Sequence, residues 1–159
     1  VALVGVRRRG GGPWIPQLVS RSPRPRGGVA DSLSIQGWVR PVAWDSAGAL
    51  YTLWTTEAGV WLARSINHGA TWFTLRVASD APDTAFFPYL AAKGPGVLAA
   101  SWFTFAGDSL HWRVAHIDMS IAARPPRISA SRAMSLESWS GDPLHSDPGV
   151  EYLPVALWR

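Results

Sequence analysis

The chain has no cysteine, so neither a disulfide framework nor thiolate chemistry is open to it. That absence does not exclude secretion. Charged residues are sparse, at 16% against 47% hydrophobic, which excludes a disordered chain kept soluble by charge. No apolar run approaches the roughly 18 residues of a membrane-spanning helix, and no basic start leads into the apolar core of a signal peptide. Helical patterning is nearly missing. The one stretch that invites it, residues 131–138, reads better as a strand or loop. Also missing are a Gly-x-Ser-x-Gly elbow, a phosphate-cradling Walker loop and a dinucleotide fingerprint. The triple glycine Gly10-Gly11-Gly12 reads as a turn.

Acidic residues are absent from the first thirty positions, which hold Arg7, Arg8, Arg9, Arg21, Arg24 and Arg26. This local excess accounts for the pI of about 10.3. From Asp31 onward the chain carries 9 basic and 11 acidic residues, so the body is mildly acidic and no specific nucleic-acid partner is expected. The Pro/Gly/Arg/Ser stretch that opens at Arg21 cannot hold a strand ladder. An arginine-rich RNA-binding segment and a solvated loop are its two readings, and composition favours the loop.

What is abundant is tryptophan, ten in 159 residues, a length that suits one domain with a real core. Large aromatics with few charges favour sheet faces. After Gln36 short strands alternate with turns: 42–44, the turn Asp45-Ser46-Ala47-Gly48, then 49–54, 60–64 and 72–77. In the last of these Phe73, Leu75 and Val77 alternate with Trp72, Thr74 and Arg76, the period of a strand. The order then restarts. Gly48-Ala49-Leu50 with Trp54 returns 48 residues later as Gly96-Val97-Leu98 with Trp102. Strands are expected over 97–105 and 110–118, either side of Ala106-Gly107-Asp108. Pro154-Val155-Ala156-Leu157 echoes Pro41-Val42-Ala43-Trp44, and Gly11-Gly12-Pro13-Trp14 echoes Gly69-Ala70-Thr71-Trp72. A period of about 40–50 residues with four strands per unit is the pattern of propeller blades.

The run Ser65-Ile66-Asn67-His68-Gly69-Ala70-Thr71-Trp72 marks one corner of the repeat. Asn67 can accept from backbone N–H groups ahead of it and close an Asx-type turn, while Gly69 allows positive φ. Ser65 and Thr71 can tie the hairpin base, and Trp72 starts a strand with a large face to bury. The octet resembles the Asp-box, or BNR repeat, of the sialidase superfamily, roughly Ser/Thr-x-Asp-x-Gly-x-Thr-Trp/Phe. Ser65, Gly69, Thr71 and Trp72 match and Asn67 replaces the aspartate. The resemblance covers residues 36–118. It implies an all-β, partial β-propeller of four-stranded antiparallel blades. Its divisions would be the end of a preceding blade at 1–20, a linker at 21–35, an Asp-box blade at 36–80, a second blade at 81–120, a long loop or outer strand at 121–150 and a further blade from 151. In that family the boxes are structural and lie away from the active site.

The resemblance also implies a glycan substrate, a retaining glycoside hydrolase mechanism and a secreted or periplasmic setting, with no cofactor or metal. Sialidases hold the substrate carboxylate with three arginines and use an acid/base carboxylate and a tyrosine paired with a glutamate. The nearest matches are Arg40 in Trp38-Val39-Arg40-Pro41, Glu57 as the acid/base, and Tyr152 beside Glu151. Each has a plain alternative. Arg40 reads equally as a strand-end surface arginine and Glu57 as a solvated turn residue. Glu151 and Tyr152, as strand neighbours, would point to opposite faces. Trp44, Trp54, Trp61 and Trp102 can stack on sugar rings, but repeat positions favour packing between blades. His111 and His116, five residues apart on one strand, make poor co-ligands. His145 with Asp142 and Asp147 reads as a loop. The chain lacks an initiator Met and is read as a piece of a longer protein, and blades that do not close a ring are expected to self-associate. A non-catalytic propeller module that binds protein or glycan is the alternative function.

Overall fold

Eleven strands in three antiparallel sheets account for the regular structure of the computed structural model, which describes residues 2–6, 13, 15–20, 41–56, 59–78, 84–106, 109–120, 125–129 and 132–135. No helix occurs among the described residues, and none there is long and apolar enough to cross a membrane. The first sheet is the hairpin β1 (Ala2–Val6) and β2 (Ile15–Ser20). The second is the meander β3 (Val42–Trp44), β4 (Leu50–Thr56), β5 (Gly59–Ser65) and β6 (Phe73–Ala78), in that spatial order. The third carries β7 (Thr84–Ala92), β8 (Val97–Ala106) and β9 (Ser109–Asp118) side by side. Its fourth position is filled by two short strands, β10 (Arg127–Ile128) and β11 (Arg132–Ser135), which both pair with β9. The strand reading of 131–138 thus holds for its central residues.

Strand alternation decides which side chains meet between the sheets. Tyr51 and Leu53 of β4, with Val60 and Leu62 of β5, face the third sheet and pack against Leu98, Ala100 and Trp102 of β8 and Ala115 and Ile117 of β9. The intervening residues Leu50, Trp54 and Ala63 turn the other way and pack with Val19 of β2. Covered on both faces, β4 is buried along its whole length, and each large apolar side chain there contributes about 1.5–3 kcal/mol on removal from water. Trp54 and Trp102 are therefore packing residues. Trp44, on the short strand β3, is 54% exposed.

The 48-residue echo is physical as well as textual. Asp45 N–H donates to the Ala49 carbonyl at 3.0 Å, and Lys93 N–H donates to the Val97 carbonyl at the same distance, so the two turns close alike. Gly48 and Gly96 end those turns at φ 81 and 75. Leu50 and Trp54 face the hairpin that precedes their sheet, while Leu98 and Trp102 face the meander that precedes theirs. The sheets are stacked in the same sense. They do not close on one another.

β7 departs from a plain strand. Its pairing with β8 shifts register between Phe86 and Tyr89, where Phe87 takes φ 46 before Pro88. Proline cannot donate to a ladder, so the bulge removes the conflict between Pro88 and regular pairing.

Candidate functional site

Register brings two polar clusters to one end of the second sheet. Leu50 pairs with both Trp44 and Ser65, so the turn at Asp45 and the octet hairpin flank the same edge of the meander.

The octet closes as its residue types dictate. Ser65 is buried, donates to Asn67 Oδ1 at 3.0 Å and accepts the Gly69 N–H at 2.8 Å. Asn67 Oδ1 also accepts the Thr71 N–H at 2.9 Å, and Asn67 Nδ2 donates to Thr71 Oγ1 at 2.8 Å. The Asn67 carbonyl takes the Ala70 N–H at 3.2 Å. Gly69 has φ 87, and His68 beside it shares the left-handed region at φ 56. Trp72 is half-buried against the cluster around Val19, and its Nε1–H is buried without a partner among the described residues. The polar atoms of Ser65 and Asn67 are thus spent on holding the corner, and Ile66, at 74% exposed, projects from it.

The second cluster joins the second and third sheets. Asp45 Oδ1 accepts the N–H groups of Ala47 and Ala49, both at 2.9 Å. Its Oδ2 accepts the Tyr51 hydroxyl at 2.8 Å and, across the sheet boundary, the Gly96 N–H at 2.9 Å. The Gly96 carbonyl takes the Met119 N–H at 2.7 Å, and the Met119 carbonyl takes Arg64 Nη1 at 2.9 Å. Arg64 then lies over the Tyr51 ring, 5.8 Å from its centroid, which completes a circuit of contacts. Burial pushes the Asp45 carboxyl upward, but donors from Gly96, Tyr51, Ala49 and Ala47 outweigh it, and the net shift is downward. Tyr51 is held well above the usual phenol range, first by burial and then by its bond to Asp45.

No protein-family model, curated protein or solved structure matches the chain.

The residues proposed for chemistry are not among those the structure describes: Arg40, Glu57 and Tyr152 all lie outside them, as do Glu151, His145, Asp142 and Asp147. The octet residues Ser65, Asn67, Gly69, Thr71 and Trp72 lie within them and come together as a hairpin corner. His111 and His116 stand on β9 across from Thr104 and Ala99, on opposite faces as their spacing implies. Among the described residues no group of three metal-ligating side chains is assembled. Two carboxylates are described. Asp45 is filled by four donors. Asp118 is capped by the Ser120 N–H at 2.9 Å and held below its usual range by Ser120, side chain and backbone.

Sequence reasoning missed the Asp45–Tyr51–Gly96–Arg64 circuit. A signal existed: an aspartate at the first position of a turn ending in glycine is a strong Asx-turn former. Nothing local showed that the other carboxylate oxygen would reach a backbone amide 51 residues away.

Proposed function

We propose that the chain is a segment of a sialidase-like β-propeller that handles glycans, as a glycoside hydrolase or as a relative that has lost the chemistry. The observation that carries this reading is the Ser65–Trp72 corner. Its serine, Asx-type residue, glycine and threonine bond to one another at a hairpin corner between the third and fourth strands of a four-stranded meander, and its tryptophan packs on the neighbouring core. The same-sense stacking of the sheets supports it, since blades of a propeller follow one another in that way. In this reading β1 and β2 are the last two strands of a preceding blade, and Arg40, Glu57 and Tyr152 are the residues to test for carboxylate clamping, acid/base work and nucleophilic attack.

The second reading is a non-catalytic module that binds protein or glycan. A retaining glycosidase needs an acid/base carboxylate whose pKa is raised. Asp45 and Asp118 are shifted downward by hydrogen bonds and do not fit that role, which leaves Glu57 as the residue to test for it.

The deciding assay is hydrolysis of a fluorogenic sialoside by the longest chain that carries this segment. The enzyme reading expects turnover that falls at least about 100-fold in Arg40→Ala, the scale of losing a substrate-orienting contact. No turnover, with glycan retained on an affinity column, supports the module. Neither turnover nor glycan binding rejects glycan handling. The open stack is also proposed to self-associate through unpaired strand edges. Size-exclusion chromatography of the isolated chain should then show oligomers, and a clean, stable monomer argues against the partial propeller.

A further inference from the structure

We infer that Asp45 is an acid-released latch between the second and third sheets, opening the boundary between them while each sheet keeps its own strand ladders. The geometry carries this. Four groups donate to the carboxylate: the N–H groups of Ala47, Ala49 and Gly96, which can only donate, and the hydroxyl of Tyr51. On protonation the new proton falls on Oδ2, where the Tyr51 hydroxyl can turn to accept it, because Oδ1 faces two N–H groups; the Gly96 N–H is then left against a carboxyl hydroxyl oxygen, a much poorer acceptor than a carboxylate. Three of the donors belong to the second sheet and its turn. Gly96 belongs to the third, at the turn that enters β8. Loss of the Gly96 bond therefore acts on the boundary, and the ladders β4–β5 and β8–β9 have no bond to Asp45.

The surroundings set the direction. Tyr51 faces Asp45 from β4, and Arg64 of β5 lies behind Tyr51, over its ring. From the third sheet the facing turn brings the Gly96 N–H, and its Lys93 is exposed to water. Among the described residues no second carboxylate acts on Asp45. Arg64, which grips the Met119 carbonyl, ties the seam on its other side. The neighbouring contact is tight. A Cβ on Gly96 would lie 2.5 Å from the backbone at Met119 and Ser120, so no side chain fits where the Gly96 turn meets the end of β9.

The test is an NMR pH titration of the whole chain. The Gly96 amide and the Tyr51 ring are expected to shift together in one step below the usual carboxylate range. Side-chain signals at the boundary, Leu53, Leu98 and Trp102, should broaden or move at that step, while amides of the β4–β5 and β8–β9 ladders stay protected from exchange. Tyr51→Phe, which removes one donor and keeps the carboxylate, should move the step to higher pH. Asp45→Asn should abolish the step and show the opened boundary at neutral pH. Loss of boundary and ladder signals in a single transition overturns the latch, as does a Gly96 step that survives in Asp45→Asn or stays unmoved in Tyr51→Phe. Should Asp45→Asn fail to fold, the Tyr51→Phe shift and the order of signal loss in the parent decide alone.

Discussion

Gly48 and Gly96 occupy equivalent turns at nearly the same φ, yet their surroundings differ. A Cβ on Gly48 meets nothing within 4 Å, whereas one on Gly96 would collide with backbone. Gly48→Ala should cost only the left-handed conformation, about 1–2 kcal/mol. Gly96→Ala adds the collision and should cost about 3 kcal/mol or more. Urea unfolding of the two variants side by side measures the gap. At the octet, His68→Gly should stabilise by about 0.5 kcal/mol, because a left-handed position loses its side-chain penalty and gains only glycine's backbone entropy. Asn67→Ala should destabilise by about 1 kcal/mol, since the Thr71 N–H and both hydroxyls of the corner lose a partner. Both are read as shifts in thermal midpoint. The octet was legible in the sequence because every partner of Asn67 lies within four residues of it. The Asp45 latch was not, because its deciding bond spans 51 residues and depends on how two sheets meet.

At the level of strands, position in the sheet outweighs residue type. Leu53 on central β4 is fully buried, while Val42 on edge strand β3 is half exposed. Leu53→Ala should cost about 3 kcal/mol, by lost burial and the cavity left behind. Val42→Ala should stay within about 0.5 kcal/mol. Chemical denaturation checks both. Strands came through clearly wherever alternation was clean, as in β6, where Leu75 and Val77 turn to the inter-sheet core and Arg76 stays in water, lying over the Trp61 ring. β4 was readable as a short apolar run bounded by turns. The bulge in β7 was not, because Pro88 within a run excludes regular pairing without saying how the strand accommodates it. The split of the last strand into β10 and β11 follows from pairing along the long strand β9, a fact about the partner rather than the segment.

For the whole molecule, the two shifted groups at the seam bound a window of stability. Asp45 titrates below its ordinary 3.8 when folded, so its contribution is complete above that pH and is lost as pH falls through the folded value. Tyr51 titrates above its ordinary 10.0, so its contribution is complete below that pH and is lost as pH rises through the folded value. Unfolding free energy against pH should therefore be level between about 4 and 10 as far as these two groups act, and Tyr51→Phe should remove the alkaline fall. The repeat of 48 residues announced two similar units, but only the burial pattern tells which face each turns to the other. Leu50 with Trp54 and Leu98 with Trp102 all look back along the chain. In the language of symmetry this is a heterologous contact, in which a unit offers one surface and receives on a different one. Such contacts do not pair off by a two-fold axis. They propagate, and end only when rotation brings the last unit against the first or when a terminal surface is blunted. If further units follow, as the proposed propeller reading requires, the direction in which two tryptophans point sets the sense in which they add.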